Sequence, residues 1–333
     1  MQKRLEYIDS LRGLAILLVV FMHVPQYGLG SAAGGYYMML ARMLAVPLFF
    51  FISGLFVPLD VTPPHVSWRK YLRRAHAILL PTVVVGGMYG LLNDIPLTDM
   101  LHDKYKSGYW FTITLFEYYV IADVLRLMAF KRQRAFYGLI VVTGIVCYAF
   151  GMPTVQRLYG DVALAHIIGV EQWKYFLFFA LGMFVRRFAN EVQSDKGGAV
   201  VIVGFSAVYA VNAICGLQLH GVFYNLNLLL QETTIVLLAY YLFYRHQAFF
   251  SSQTATGRLL QQIGTSTLEI YLLHYFVLPR HLDALAESLD LLENPFVALF
   301  SCLSITAGVV AVVCVVKSVL QCNPYVRRIL WNK

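Results

Sequence analysis

Asp9 to His23 reads D-S-L-R-G-L-A-I-L-L-V-V-F-M-H. An acid and an arginine stand at the mouth of an apolar run, and a histidine stands near its far end. A helix turns by about 100° per residue, so Arg12 and His23 lie roughly 300° and 320° round from Asp9, and all three share one face. In hydrocarbon a charge or a ring nitrogen is costly, so such a face turns to a protein interior or a wet cavity. Two plainer readings exist. One is a polar stripe used in helix packing; the other is a secretory signal peptide, with Lys3 and Arg4 before the run and Ser31-Ala32-Ala33 after it. The charges at the mouth of the run and the many later apolar runs argue against the signal peptide.

Outward from this stretch, the whole chain has the same character. Of 333 residues, 59% are hydrophobic and 13% are charged, about half the charged share of a soluble domain. Ten runs approach the roughly 20 apolar residues that a membrane crossing needs: about 11–27, 37–59, 75–93, 109–127, 136–152, 173–188, 198–217, 223–244, 262–279 and 296–319. The sequence therefore predicts an all-α, polytopic integral membrane protein of about ten helices.

Orientation follows from Lys and Arg. With a cytoplasmic N-terminus, nineteen basic residues fall in inside segments, and only Lys104, Lys106, Arg157, Lys174 and Arg280 fall outside. Both termini are expected in the cytoplasm, which an even helix count requires. The net charge of +8 is explained by these clusters, so no nucleic-acid partner is implied. Residues 1–333 read as a single membrane domain, because the outside segments 94–108, 153–172 and 280–295 are too short for a core of their own. Arg280 to Leu292 has the pattern of a surface helix. No internal repeat is visible, which weakens a transporter built on inverted repeats.

Several residues carry candidate chemistry. His23 suits general-base work, since a neutral imidazole takes a proton from a hydroxyl near pH 7; the plainer role is hydrogen bonding between helices. Arg12 would lie about 16 Å along the helix from His23, near the cytoplasmic surface, with Asp9 one turn earlier to orient it. In the second run, Val46-Pro47-Leu48-Phe49-Phe50-Phe51-Ile52-Ser53-Gly54 contains a Ser53-Gly54 pair that permits close helix approach or a kink, and Arg42 precedes it. Trp68 to His76, W-R-K-Y-L-R-R-A-H, is a basic stretch holding Arg69, Arg73, Arg74 and His76. It either keeps the loop inward or binds phosphates, for which the arginine fork is well shaped. Trp110-Phe111 opens the fourth run, and Glu117, Glu232 and Glu269 are acids within apolar runs, costly enough to need a role or a partner.

In the ninth run, Tyr271 and His274 are neighbours at i and i+3, whereas Glu269 lies about 140° from His274 and faces elsewhere. The glycines of Gly28 to Gly34 follow a membrane helix and not a strand, so a dinucleotide fingerprint fails on context. The five cysteines form no CxxC pair, and no metal site is expected.

Taken in order, Tyr7-Ile8-Asp9-Ser10-Leu11-Arg12-Gly13 with His23, then Val46 to Gly54, the basic stretch before Pro81, Trp110-Phe111, and Ser266 to His274 resemble the acyltransferase family 3 membrane proteins. The matching motifs span residues 5–280, nearly the whole chain. The resemblance implies a bacterial inner-membrane, multi-pass O-acyltransferase, often an O-acetyltransferase of surface polysaccharides. It implies that His23 serves catalysis and that Arg12 supports the site or the acyl-CoA. The family's second motif is a pair of cytoplasmic arginines, R-x-x-R; the nearest fits are Arg73 with His76 and Arg74 with Ala77. Acetyl-CoA from the cytoplasm is the implied donor, and a hydroxyl of a cell-surface or lipid-linked carbohydrate is the implied acceptor. Membrane lipid is the remaining partner. Direct transfer and an acyl-histidine intermediate both fit, as do acetyl and succinyl groups. The reading from a different class is a transporter or exporter of a glycan or lipid-linked sugar, with Arg42, Ser53, Trp110, Glu117, Glu232, Glu269, Tyr271 and His274 lining its path.

Overall fold

The computed structural model describes residues 5–29, 35–60, 68–160, 162–215, 219–288, 291 and 294–331. Lys3, Arg4, Gly30, Ser31-Ala32-Ala33, Gly34, Leu292 and Lys333, all used in the sequence reading, lie outside them. The described residues form helices and no strand. In chain order these are α1 Glu6–Val24, α2 Gly35–Leu55, α3 Trp68–Arg74, α4 Leu80–Leu92, α5 Leu97–His102, α6 Trp110–Met128, α7 Gln133–Phe150, α8 Pro153–Tyr159 and α9 Ala163–Ile168. They continue as α10 Phe176–Arg187, α11 Ala189–Gln193, α12 Asp195–Cys215, α13 Gly221–Arg245, α14 Ala255–Gly264, α15 Thr267–Val277, α16 Asp283–Ser288, α17 Pro295–Gln321 and α18 Pro324–Trp331.

Each of the ten expected runs meets a helix. Among the described residues, seven helical spans are long and apolar enough to cross a membrane: 6–29, 37–55, 68–92, 133–150, 195–214, 221–245 and 295–321. The other three differ for identifiable reasons. Helix α6 has 19 residues but carries Glu117, Asp123 and Arg126. Helix α10 has 12 residues. The run at 262–279 breaks at Thr265-Ser266, which leaves 11 residues in α15. Between Arg280 and Leu292, where a surface helix was expected, the six-residue α16 forms.

Two wider π-helical turns interrupt the rods, at Pro25–Leu29 after α1 and at Ala75–Leu79 between α3 and α4. Pro25 opens the first, and Pro81 follows the second. Proline lacks the N–H that the carbonyl four residues earlier would accept and crowds that carbonyl, which accounts for the local change of pitch.

The chain gathers into two compact units interleaved along the sequence. The first comprises 1–49, 191–216 and 230–322. Here α1 packs on α14, α15 and α17, and its contact with α14 is made by backbone. A Cβ on Gly13 would lie 2.1 Å from the Leu260 carbonyl oxygen, and one on Gly264 would lie 1.8 Å from that of Asp9. Small residues permit this approach, as is common between membrane helices. Polar ties flank it. Glu6 accepts from the backbone N–H and hydroxyl of Ser252 at 2.7 and 3.0 Å, and Ser10 donates to the Phe250 carbonyl at 2.8 Å.

The second unit comprises 50–190, 217–229 and 323–333. The end of α2 meets α10 by a similar reciprocal contact, with Gly54 against the Phe179 carbonyl and Gly182 against that of Phe51. The close helix approach expected at Ser53-Gly54 is thus present, with Ser53 half-buried beside it. Around it Phe50, Tyr118, Phe176 and Phe179 are fully or almost fully buried and meet at aromatic centroid distances of 4.9 to 5.9 Å.

The α1–α14 contact yields a direct test. Gly264→Ala is expected to destabilise the protein by about 1–3 kcal/mol, read as a lowered midpoint of thermal unfolding in detergent. Gly308→Ala on α17, where a Cβ would meet nothing within 4 Å, is expected to leave the midpoint unchanged or raised.

Candidate active site

Helix α1 delivers His23 to its last turn, just before the π-helical turn, and α15 delivers His274 and Tyr275. The imidazole of His23 is buried, and both its nitrogens are engaged. Nδ1 lies 3.3 Å from Gln26 Oε1, an acceptor, so Nδ1 carries the proton. Nε2 is therefore a lone pair and accepts from the Tyr275 hydroxyl at 3.1 Å. The two histidine rings stack at 5.3 Å with 26° between their planes, and Tyr27 closes another side at 5.6 Å from His23 and 5.8 Å from Tyr275. On α2, the exposed Arg42 lies within electrostatic reach of His23.

His274 is fully buried. Its Nδ1 donates back to the carbonyls of Ile270 at 3.0 Å and Tyr271 at 2.8 Å. Tyr271 is its neighbour, as the spacing implied, with ring centroids 6.3 Å apart. Glu269 faces away from this pocket: Lys317 of α17 pairs with it at 3.4 Å and donates to Ser266 Oγ at 2.6 Å. The acid is thus a brace between α15 and α17. Glu232 is half-buried on α13, next to Gln231, whose amide faces Asn212 at 3.4 Å.

At the other end of α1, Asp9 and Arg12 form the expected ion pair at 3.3 Å, with the Arg12 side chain one-third exposed. Arg12 sits about 16 Å along the helix from His23 and does not join the imidazole pocket.

In the second unit, the basic stretch is organised by an acid on α6. Asp123 of α6 is buried. It accepts from Lys70 Nζ at 2.9 Å and from the Tyr71 hydroxyl at 2.9 Å, lies 4.0 Å from Arg74, and is bonded by Arg126 one turn on. Arg126 also donates to the carbonyls of Pro58 and Asp60 at 2.7 and 3.0 Å, which ties down the segment after α2. Arg74 lies over the Tyr119 ring at 4.0 Å. Lys70 and Arg74 therefore point inward, whereas Arg69 and Arg73, also four apart, are exposed. His76 is half-buried in the π-helical turn.

Trp110 is half-buried and stacks on Tyr175 at 5.8 Å, within the aromatic group around Phe50. Glu117 accepts from the Trp173 indole N–H at 2.9 Å. Outside the spans, Lys106 is buried under carbonyls of Leu101, Asp103 and His166. Burial pushes it below the ordinary lysine range, and the nearby acids Asp103, Glu171 and Glu117 partly offset this. Among the described residues no group of three His, Cys, Asp or Glu is placed to hold a metal ion.

Local spacing could have revealed Gln26, three residues after His23. Asp123 was detectable by the rule that singled out Glu117, an acid in an apolar run. Tyr275 lies 252 positions from His23, and no spacing rule connects them.

Seven helices long and apolar enough to cross a membrane, among the described residues, mark a multi-pass membrane protein. The chain belongs to acyltransferase family 3: the family's acyltransferase-domain model matches residues 5–315. It is therefore a membrane acyltransferase by family, with an acyl donor and an acceptor as substrates. No curated protein and no solved structure matches it.

The Asp123 hub makes a prediction of its own. Asp123→Ala leaves the buried Arg126 uncompensated, and the expected cost is about 3–5 kcal/mol, seen as a large drop in unfolding midpoint or in yield of folded protein from detergent.

Proposed function

We propose that this protein moves an acyl group, acetyl by preference, from cytoplasmic acyl-CoA to a carbohydrate hydroxyl, with His23 as general base. The observation that carries this reading is the state of the His23 ring: Nδ1 donates to Gln26, and the Nε2 lone pair rests on a displaceable tyrosine hydroxyl. A lone pair so held is ready to receive a proton from an incoming alcohol.

The chemistry follows in order. The acceptor hydroxyl replaces the Tyr275 hydroxyl on His23 Nε2 and gives up its proton there as its oxygen bonds to the thioester carbon. Tyr275, released, donates to the oxyanion that forms. The carbon–sulfur bond then breaks, and the leaving thiolate recovers the proton from His23. Arg42 places a positive charge near this negative intermediate.

For the donor, we assign the phosphate contacts to Arg69 and Arg73. Lys70 and Arg74 are already committed to Asp123, whereas the exposed pair presents two forked donors on adjacent turns. Arg12, with Asp9 holding it, supports the donor at the N-terminal end of α1. In this reading residues 1–333 act as one acyltransferase domain in the bacterial inner membrane, with ten crossings, both termini in the cytoplasm and a surface or lipid-linked glycan as acceptor.

His23→Ala is expected to abolish label transfer from radioactive acetyl-CoA in membranes while the protein still inserts; full activity would sink the base assignment. Tyr275→Phe should lower kcat by about 10²- to 10³-fold, the usual cost of one oxyanion donor, with KM for the donor little changed. Arg69→Gln and Arg73→Gln should each raise KM for acetyl-CoA about tenfold and leave the unfolding midpoint within the range of surface changes.

A further inference from the structure

The His23–His274 pair contains four ring nitrogens, and three of them have partners. His23 Nδ1 donates to Gln26, His23 Nε2 accepts from Tyr275, and His274 Nδ1 donates to the carbonyls of Ile270 and Tyr271. The fourth, His274 Nε2, is buried and has no hydrogen-bond partner among the described residues. Because Nδ1 carries the proton, Nε2 is a bare lone pair that can only accept. The Tyr275 hydroxyl and the His23 N–H, on the two rings that lie against His274, already have partners. Buried polar side-chain atoms in folded proteins are nearly always partnered, and an exception calls for a ligand, a water or a functional reason.

We propose that the acceptor is a diol, and that His274 Nε2 receives the hydroxyl neighbouring the one that His23 deprotonates. The inference rests on the acyl-transfer reading above. A thioester group offers only acceptors at its reacting end, so it cannot satisfy this nitrogen; an alcohol can. The two imidazoles are nearly parallel at 5.3 Å, which puts two lone-pair acceptors in one pocket. Neighbouring hydroxyls of a vicinal diol, each making a hydrogen bond of about 2.8 Å, can address one acceptor on each of two stacked rings. Tyr27 and Tyr275 supply aromatic faces for the C–H side of a polyol, and Gln26 and Tyr27 are the exposed members of the group. His274 is thus a specificity-determining residue: it selects the position on a sugar where a second hydroxyl stands beside the reacting one.

The test uses membranes holding the full chain, radioactive acetyl-CoA, and propane-1,2-diol against propan-1-ol and propan-2-ol. The wild type is expected to favour the diol at least tenfold in kcat/KM, about one hydrogen bond. His274→Phe should remove that preference by raising KM for the diol, whereas His274→Gln, which keeps an acceptor near the Nε2 position, should retain part of it. Labelling of the membranes' own glycan reports the acyl-transfer reading separately, and its absence overturns that reading. Glycan labelling without a diol preference overturns the His274 assignment alone and leaves Nε2 a water site. The wild-type comparison needs no variant, so a His274→Phe chain that fails to fold does not spoil the test.

Discussion

The contact on which the imidazole pocket depends is made by backbone, not by chemistry-bearing side chains. Gly13 and Gly264 let α1 and α14 approach until each glycine abuts the other helix's carbonyl. That approach fixes the level of Gly264 against Asp9. From there α15 travels alongside α1 in the same direction, since its later residue Tyr275 meets the later residue His23. The hydrogen bond at 3.1 Å between them depends on a register set several turns away. A shift of one residue, about 1.5 Å of rise and 100° of turn, would carry Tyr275 off the His23 lone pair.

Burial imposes a second requirement on the same pocket. A polar group removed from water costs free energy unless it is hydrogen-bonded, so each nitrogen of the pair has to be accounted for. His274 meets part of this requirement from its own helix, bonding the carbonyls three and four residues back. His23 uses Gln26 for the same purpose at i+3. Both rings are thereby fixed in one tautomer, with the lone pair on Nε2. Two neutral imidazoles with the same tautomer suit proton acceptance from alcohols better than anion binding, which would call for N–H donors or fixed positive charge.

These features were unequally legible in the sequence. The ten apolar runs carry a signal that depends only on composition and length, and helices form at all of them. Three runs fall short of a crossing: α6 carries three charges, α10 has 12 residues, and Thr265-Ser266 separates α14 from α15. His23 was legible because a ring nitrogen in an apolar run is rare, and Glu269 was placed off the His274 face by helical angle alone. Its partner Lys317 was hidden, because it comes from α17, distant in sequence, and has the pattern of an end-of-helix charge that sets orientation. Tyr275 was hidden for a related reason: contacts between helices distant in sequence leave no periodic trace.

The basic stretch shows how one buried acid divides a set of similar charges into different roles. Trp68 to Arg74 carries four cations in seven residues, alike in charge and close in sequence. Asp123 separates them, because an acid on α6 can reach only one face of α3, and the residues at i and i+4 on that face are Lys70 and Arg74. Their charge is largely neutralised where it stands, and Arg74 also lies over Tyr119. Arg69 and Arg73 occupy the neighbouring face one residue earlier, about 100° away, and are exposed. A phosphate-bearing ligand would therefore meet two arginines on a helix held in place by the other two cations. In the proposed reading the inner pair contributes rigidity and the outer pair affinity for the donor's phosphates. The same Asp123 also orders the segment after α2 through Arg126, so the rigidity of the basic helix and of that segment rests on one carboxylate.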